Sequence, residues 1–544
     1  MKSKKKLVNI LSLLLALFML ATAFTACTTT SGDKGTSSEN TAPKGGTGKV
    51  DPDTYVYEKQ IEIKIPVYDR GVQGQAPVDD NYWTRWIQKE FGDKHNIKVT
   101  YIPIPRSSDV DKFNMLLATN DAPDIIFSYD FPIAMSFYSR GAFMELNQDM
   151  LNTYAPDFLK WSGDAMKYGV IDGKQIFLAA TRPEAYNWMT LIRQDWLEKA
   201  GLSMPKSLSE YEDALMKFKE LKLGGEDTIP ATLSLPSAYY GAYAYRPFPL
   251  PEEELALYSD INVAALSWEP VKRALKDQNR MFNKGLLSPE FALDKDGKQA
   301  QADFMNGKAG VYGFYLSKTP PVIQTLMQNQ PDAKLAVLHP MAGVPEGGYP
   351  AGRAYWPFGM LSGIYKDCKN PEAVLMFFNW MSKPDVLFTL QNGIEGKTYE
   401  MVDGLPVLTE YSGEERLNYN SNKDIWCLVT EGKYFDTIEK TLRVQETTYA
   451  PEGFEYLIRD NYNYTEEIRK YLYPDFLFDR TIQSVAKYQQ TLLTKWQEIY
   501  VDLIMCKPEE FDAKYEKHLQ EYYDAGYREI LDEKLKIYKE MTNK

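Results

Sequence analysis

Residues 61–105 of the chain read IEIKIPVYDRGVQGQAPVDDNYWTRWIQKEFGDKHNIKVTYIPIP. Apolar and polar side chains alternate over residues 61–67 and again over residues 97–105, and a period of two predicts β-strands. Between the two strands, apolar residues recur at positions 83, 86, 87 and 91 after the capping pair Asp80-Asn81, which predicts an amphipathic helix. The stretch is therefore predicted to form a β-α-β unit, the building block of an open α/β sheet.

A second unit of the same kind follows directly. Val110, Phe113 and Leu117 form a stripe at helical spacing, residues 120–123 break the helix, and residues 124–127 have the apolar character of a short buried strand. Repeated units of this kind predict an α/β fold and not a β-sandwich.

Boundary signals predict further helices in the later part of the chain. Residues 207–210, Ser-Leu-Ser-Glu, have the form of a capping box. The pair Asn370-Pro371 opens a helix that ends before Pro384. From residue 481 to the C-terminus the chain is rich in Lys, Glu, Gln, Leu and Tyr, which predicts helices interrupted near Lys507-Pro508 that pack on the α/β body.

The N-terminus has the pattern of an export signal. Four lysines precede an apolar run over residues 7–26, which ends in Phe24-Thr25-Ala26-Cys27. This arrangement resembles the bacterial lipobox, whose cysteine becomes the acylated first residue of the mature chain, although Phe24 stands where Leu is usual. We therefore interpret residues 1–26 as a lipoprotein signal peptide and Cys27 as the lipidation site. The alternative is an uncleaved transmembrane anchor, which the polar residues inside the run disfavour.

The segment that follows is predicted to be a tether. Residues 27–54 are rich in Thr, Ser, Gly and Lys and have too few apolar side chains to bury a core. About 490 residues remain after it, enough for two or three domains. We expect these to lie at the extracellular face of the cell membrane, held there by the lipid anchor.

Charge and cysteine content exclude several classes of protein. Removing the four lysines of residues 1–26 from the formal charge of −13 leaves −17. Such an acidic body repels polyanions, which argues against nucleic acid as a partner. Besides Cys27 there are Cys368, Cys427 and Cys506, an odd number at wide spacing, so no disulfide framework is predicted.

Catalytic and metal-binding motifs are missing from the sequence. The histidines, His95, His339 and His518, lie far apart, and no HExxH, GxSxG or GxxxxGK[ST] occurs. Residues 294–297, Asp-Lys-Asp-Gly, resemble a calcium loop only faintly and are interpreted as a turn. We predict no catalytic residues, no bound metal and no cofactor. A pair of carboxylates at glycosidase spacing stays open, because the chain is rich in acidic residues.

Five segments, in the same order along the chain, resemble extracellular solute-binding proteins of carbohydrate ABC importers, and specifically the large Gram-positive lipoproteins of that group. They are residues 65–130, 168–202 (YGVIDGKQIFLAATRPEAYNWMTLIRQDWLEKAGL), 303–315 (DFMNGKAGVYGFY), 355–381 (YWPFGMLSGIYKDCKNPEAVLMFFNWM) and 392–400 (NGIEGKTYE). The resemblance extends over most of residues 55–540.

The resemblance implies a two-lobed periplasmic-binding-protein-like fold, with a hinge, a cleft between the lobes and an extra helical C-terminal region. It places crossings between the lobes near Ala179-Ala180 and near Tyr355-Trp356. The implied boundaries are 55–179 and 304–355 for the N-lobe, 180–303 and 356–480 for the C-lobe, and 481–544 for C-terminal helices packed on the lobes.

The resemblance, together with the rule that open α/β sheets bind ligands beyond the carboxyl ends of their strands, also suggests ligand-binding residues. They are Tyr68, Asp69, Arg70, Tyr129, Asp130, Arg182, Glu184, Tyr186, Trp188, Tyr315, Tyr355, Trp356 and Trp426. Structural alternatives stay open for several of them. Asp69 and Arg70 could instead form a salt bridge that fixes their loop, and Trp356 could plug the space between the lobes.

Two hypotheses of function follow. In the first, a monomeric, lipid-anchored binding protein captures an oligosaccharide and delivers it to the permease subunits of an ABC importer. In the second, the chain is a surface-anchored glycosidase or lyase. A third alternative keeps the fold and changes the role to peptide binding or sensing. The surplus of Tyr and Trp favours a carbohydrate ligand, since aromatic rings stack on sugar faces.

Overall fold

The computed structural model describes residues 50–71, 76–182, 188–235, 245–246, 249–260, 263–345, 347–350, 354–417, 424–433, 435 and 437–542. In these ranges the strands are β1 Ile61–Asp69, β2 Ile97–Pro105, β3 Ile125–Ser128, β4 Val170–Ile171, β5 Lys174–Gln175, β6 Phe177–Thr181, β7 Trp188–Arg193, β8 Tyr245–Arg246, β9 Val311–Tyr315, β10 Leu335–Val337, β11 Tyr349–Pro350, β12 Phe358–Ile364, β13 Tyr399–Val402 and β14 Leu405–Leu408.

Besides the three-residue helical turn Asp93–His95, the α-helices are α1 Tyr82–Ile87, α2 Asp109–Ala118, α3 Phe131–Ser139, α4 Gln148–Tyr154, α5 Pro156–Ser162, α6 Gln194–Ala200, α7 Leu208–Glu220, α8 Glu252–Tyr258, α9 Glu269–Asn283, α10 Lys298–Met305, α11 Thr319–Asn329, α12 Pro371–Met381, α13 Pro384–Asn392, α14 Ile438–Tyr449, α15 Tyr456–Ile468, α16 Gln483–Met505, α17 Phe511–Tyr522 and α18 Arg528–Thr542. None of the helices in the described ranges is both long and apolar enough to cross a membrane.

The first predicted β-α-β unit is confirmed. β1 and β2 pair in parallel, with Ile61 opposite Ile97. The Asn81 side chain accepts hydrogen bonds from the backbone N–H groups of Trp83 and Thr84, so it caps α1 as predicted. Because α1 buries Trp83 against the same core as β1, the helix covers one face of the strand pair.

The second predicted unit extends the same lobe. β12 lies between β3 and β6 and pairs with both in antiparallel fashion. Asp124, just before β3, donates its N–H to the carbonyl of Lys64 at 3.0 Å and accepts the N–H of Lys64 at 2.7 Å, so β3 lies beside β1. The apolar side chains of these strands and of α12 share one core, which defines the N-lobe.

The C-lobe is built around a second sheet. β7 lies between β9 and β10 and is antiparallel to both. The predicted helix at residues 207–210 is α7, and Ser207 caps it by accepting the N–H of Glu210. Its Leu215 and Phe218 pack with Trp196 of α6 beneath this sheet.

Strand pairing corrects the predicted division into lobes. β9 and β10 lie within residues 304–355, which were expected in the N-lobe, but they pair with β7 of the C-lobe. β12 lies within residues 356–480, which were expected in the C-lobe, but it completes the N-lobe sheet. The boundaries rested on the family resemblance, and strand pairing places both segments in the other lobe.

In the described residues the chain passes between the lobes at three places, and backbone hydrogen bonds join these crossings. The first follows β6, the second precedes β12, and the third lies between Val429 of the N-lobe core and Leu457 of the C-lobe core. Thr181 accepts the N–H of Glu431 at 2.7 Å and donates its own N–H to Val429 at 3.1 Å, while Arg182 donates to the carbonyl of Pro357 at 3.0 Å. The three crossings are thus joined by backbone hydrogen bonds around one residue.

The predicted C-terminal helices are confirmed as α16, α17 and α18, with the break at Lys507-Pro508. α16 buries Leu492, Trp496 and Leu503 in the same core as α9 of the C-lobe.

The turn at residues 294–297 has a structural role. The carboxylate of Asp294 accepts the N–H groups of residues 299 and 300 and so caps α10.

Asn279 connects α9 to the end of α16. Its side-chain amide is 1% exposed and donates to the carbonyls of Leu503, Ile504 and Cys506. We predict that Asn279→Ala lowers the free energy of unfolding by about 1–3 kcal/mol, because these buried carbonyls lose their donor. Urea denaturation followed by circular dichroism measures the change.

Asn329→Ala is the matched control, since the Asn329 amide donates to the Met305 carbonyl at an exposed position. Its expected effect stays within about 0.5 kcal/mol. Equal losses in the two variants would contradict the role assigned to Asn279.

Candidate functional site

A cavity lies between the N-lobe, the C-lobe and the C-terminal helices. It encloses about 940 Å³ of open space, counting the part continuous with solvent. The N-lobe side and the crossings contribute Tyr129, Asp130, Phe131, Arg182, Tyr355, Trp356 and Phe358. The opposite side is made by Ala256, Ser259, Asp260, Asp475, Phe476, Phe478, Arg480, Ile482, Val485, Gln489 and Lys534. The cavity is therefore lined by aromatic rings together with charged groups of both signs.

Asp424 organises the N-lobe edge of this cavity. Its side chain is 0% exposed, and its two carboxylate oxygens accept hydrogen bonds from Arg70 at 2.7 and 2.9 Å. The Tyr129 hydroxyl donates to the same carboxylate at 3.1 Å. Burial raises the pKa of Tyr129 well above its usual value, so the hydroxyl stays protonated and acts as a donor. A buried carboxylate needs such partners, and here they fix two predicted site residues.

Behind this edge lies a second hydrogen-bonded group. The Tyr68 hydroxyl donates to Asp109 at 2.7 Å, and Arg106 donates to the same oxygen at 2.9 Å. The rings of Tyr68 and Tyr129 are stacked with their centroids 5.9 Å apart, and Arg106 lies 4.8 Å from the centroid of the Tyr68 ring. Tyr68 is fully buried, so it supports Tyr129 from below.

The two aspartates predicted at this edge differ in their surroundings. Asp69 is exposed, and its carboxylate accepts the N–H of Gly71 at 2.8 Å within its own loop. Asp130 is half-buried and lines the cavity. Its carboxylate accepts no hydrogen bond and has no cation within 4.0 Å in the part of the chain that the structure describes. Asp130 therefore keeps its acceptor capacity for whatever enters the cavity.

Arg182 lies where the crossings meet. Its guanidinium forms an ion pair with Glu431, with 2.8 Å between Nε and Oε2, and lies 4.3 Å from the centroid of the Tyr355 ring. The side chain is largely buried. Glu431, which belongs to the third crossing, thus neutralises the charge of Arg182, and the guanidinium of Arg182 lies against the Tyr355 ring at the cavity wall.

Trp356 joins the N-lobe to the segment that leads into the C-terminal helices. Its indole N–H donates to the carbonyl of Asp475 at 2.9 Å. Its ring lies 5.3 Å from that of Tyr168 and is stacked with Phe358 at 6.4 Å. Its side chain is only partly buried and lines the cavity, so one residue both connects two segments and presents an aromatic surface to the cavity.

The remaining predicted residues lie elsewhere or outside the described ranges. Trp188 and Tyr315 are paired across β7 and β9 with their ring centroids 4.0 Å apart, and they are not part of the cavity lining described above. Trp426 is 6% exposed and belongs to the N-lobe core. Glu184, Tyr186 and Cys27 lie outside the described residues. No group of three His, Cys, Asp or Glu side chains among the described residues is arranged to hold a metal ion.

Several residues of the cavity were not predicted. Phe476, Phe478 and Ile482 come from the segment that precedes and opens α16, where the sequence pattern indicates only helix packing. Lys534 was not predicted either, but the sequence contains a signal that could have identified it. It occupies a position on α18 that continues the apolar stripe of Ile530 and Ile537, where a lysine is unexpected.

Comparison with known proteins agrees with this fold. A family model described as Bacterial extracellular solute-binding protein matches residues 76–387. Lipoprotein LipO of Bacillus subtilis (strain 168) is 26% identical over 371 residues, which are 63% of this chain and 68% of LipO. The polygalacturonan/rhamnogalacturonan-binding protein YtcQ of the same organism is 24% identical over 327 residues, and the match spans only 63% of YtcQ's length and 57% of this chain.

Solved structures show the same architecture. The alginate-binding protein AlgQ2 without calcium ion superposes with a TM-score of 0.64 at 17% identity, covering 89% of this chain and 99% of AlgQ2. The Streptococcus pneumoniae substrate-binding protein FusA in complex with kestose gives a TM-score of 0.63 at 17% identity, covering 89% of this chain and 100% of FusA. At this identity the likeness concerns the fold.

The Asp424 carboxylate provides a test of the N-lobe edge. We predict that Asp424→Asn lowers the free energy of unfolding by about 1–3 kcal/mol, because Arg70, whose side chain is 30% exposed, and Tyr129 lose a charged and fully buried acceptor. Asp121→Asn, which removes an exposed ion pair with Lys64, is the control and is expected to change it by less than about 1 kcal/mol. Urea denaturation compares the two variants, and a small loss in Asp424→Asn would show that the buried pair does not stabilise this edge.

Proposed function

The chain belongs to the bacterial extracellular solute-binding proteins, because the family model matches more than half of it, and from this premise we propose that it captures an oligosaccharide in the cavity between its lobes. The observation that carries the proposal is the composition of the cavity wall. Tyr129, Tyr355 and Trp356 offer aromatic surfaces beside the carboxylate of Asp130. Aromatic faces suit the apolar faces of sugar rings, and carboxylates accept hydrogen bonds from sugar hydroxyls.

The division of the cavity between the lobes supports a role in capture. Asp130 belongs to the N-lobe and Asp260 follows α8 of the C-lobe, so a ligand that contacts both sides favours the closed arrangement. We propose that the permease subunits of an ABC importer recognise this closed state. The crossings joined at Thr181 would serve as the hinge.

The names of similar proteins also favour a carbohydrate. They describe binding of alginate, of polygalacturonan or rhamnogalacturonan, and of kestose, which are all saccharides. We therefore propose a saccharide ligand for this chain, without assigning an individual sugar. The proteins of this family capture solutes, and the proposal therefore includes no turnover.

We predict that the chain binds a neutral or acidic oligosaccharide from a panel of plant and algal fragments, and that Asp130→Asn weakens this binding about tenfold or more, because a hydrogen bond to a charged group is lost. Titration calorimetry and intrinsic tryptophan fluorescence measure the affinity. Asp111→Asn replaces an exposed aspartate of α2 in the same lobe and is expected to bind like the wild type.

Two results would contradict the proposal. One is silence of the folded wild-type protein across the whole panel. The other is the release of new reducing ends from a bound oligosaccharide, which would indicate a glycosidase or lyase. Equal affinities of Asp130→Asn and the wild type would leave capture in place but remove Asp130 from the binding residues.

We further propose that lipidation at Cys27 keeps the protein at the extracellular face of the membrane, near its importer. A tether raises the local concentration of the receptor without any new contact. Cys27→Ser is expected to move the protein from the membrane fraction to the medium or the soluble fraction, with unchanged affinity for the sugar. Cell fractionation with immunoblotting measures this, and full membrane retention of the variant would favour an uncleaved anchor instead.

A further inference from the structure

A buried lysine lies in the wall of the cavity. Lys534 is 2% exposed and comes from the middle of α18, the last helix of the chain. Its Nζ lies 3.3 Å from Oδ2 of Asp260, which follows α8 of the C-lobe. Both residues line the cavity. A lysine is seldom buried to this extent, and its position on the wall calls for a reason beyond packing.

The hydrogen bonds of this ammonium group are incomplete. A lysine ammonium has three N–H donors. Among the described residues, only Asp260 accepts a hydrogen bond from Lys534. A buried donor without an acceptor is costly, so the other two N–H groups need acceptors from water or ligand inside the cavity.

Neighbouring contacts fix Lys534 in this place. The carboxylate of Glu533 accepts the backbone N–H groups of Gln483 at 2.9 Å and Ser484 at 2.7 Å, and so caps the N-terminus of α16. The hydroxyl of Tyr538, one turn further along α18, donates to Glu252 of α8 at 3.1 Å. The helix is therefore attached on both sides of Lys534, and one of these attachments is to the helix that precedes Asp260.

The cations of the cavity wall are already neutralised. Asp260 pairs with Lys534, Glu431 pairs with Arg182, and Arg480 pairs with both Asp479 and Glu540. Each cation that lines the described wall thus has a carboxylate partner, whereas Asp130 has no cation within 4.0 Å among the described residues. A carboxylate on a sugar would meet no uncompensated cation here and would lie near the negative charge of Asp130.

We propose that Lys534 and Asp260 form a subsite that binds the hydroxyl groups of an uncharged sugar residue, and that Asp260 makes the cavity prefer neutral oligosaccharides over uronic acids. A sugar hydroxyl both donates and accepts, so it can accept from Lys534 and donate to Asp260. The inference rests on the proposed function, because it names the class of sugar that the same cavity takes.

The test uses pairs of tetrasaccharides of matched linkage, in which the C6 hydroxymethyl group of each neutral sugar is a carboxylate in its uronic partner: mannotetraose with tetramannuronate, galactotetraose with tetragalacturonate, and cellotetraose with tetraglucuronate. Titration calorimetry on the full folded chain is expected to show at least one neutral member bound ten times more tightly than its uronic partner. Lys534→Met keeps the length of the side chain and removes its donors, and is expected to weaken that binding about tenfold or more. Lys536→Met is the control, because Lys536 is an exposed lysine of the same helix.

Asp260→Asn gives an independent readout if Lys534→Met does not fold, which its circular dichroism spectrum and melting temperature would show. It leaves the Lys534 charge uncompensated, so the preference for the neutral member should shrink or reverse in favour of the uronate. Two results would overturn the inference and leave sugar capture standing. One is a preference of the wild type for uronates. The other is that both variants, Lys534→Met and Asp260→Asn, bind the two members of each pair as the wild type does. Silence of the wild type towards all six sugars and the wider panel would instead overturn the proposed function, and this inference with it.

Discussion

The backbone of Thr181 is the point on which the two-lobed arrangement depends. Its N–H and its carbonyl both bond to the third crossing, and the neighbouring N–H of Arg182 bonds to the second. Backbone polar groups that leave a sheet must find partners, and here the three connections between the lobes satisfy one another. The N-lobe sheet continues directly into this junction, because β6 ends at Thr181 and the same residue forms a bridge to Thr430.

Ion pairs formed by residues near this junction position side chains at the cavity wall. Glu431 leaves the junction and neutralises Arg182, which in turn lies against the ring of Tyr355. Asp424, a few residues earlier in the same segment, holds Arg70 and Tyr129 on the N-lobe edge. Removing a buried charge from water is tolerated only when partners are in place, so the segment around the third crossing sets the positions of side chains that are distant in sequence. Groups arranged in advance lose less conformational freedom when a ligand binds.

Local structure was predictable from the sequence, and tertiary pairing was not. The alternation of residues 61–67, the Asn81 cap and the Pro371 start each describe a neighbourhood of a few residues, and each was confirmed. The lobe assignment that the resemblance implied for β9 and β12 differs from the observed pairing, and the sequence could not correct it, because both strands are apolar runs that could complete either sheet. The predicted site residues at 70, 129, 130, 182, 355 and 356 come together near one cavity or its edge. Their carboxylate partners, Asp424 and Glu431, carry no local signal, since any acidic residue could have served.

The last helix of the chain supplies part of the cavity wall, and this has a consequence for how the protein matures. A polypeptide is synthesised from its N-terminus, so the strands of both lobes are complete before α18 is. Until residue 534 has emerged, the pocket lacks one side and Asp260 lacks its counter-charge. The cavity wall is therefore completed only when the last described helix packs, and a chain that stopped before α18 would have the sheets of both lobes but an open cavity wall.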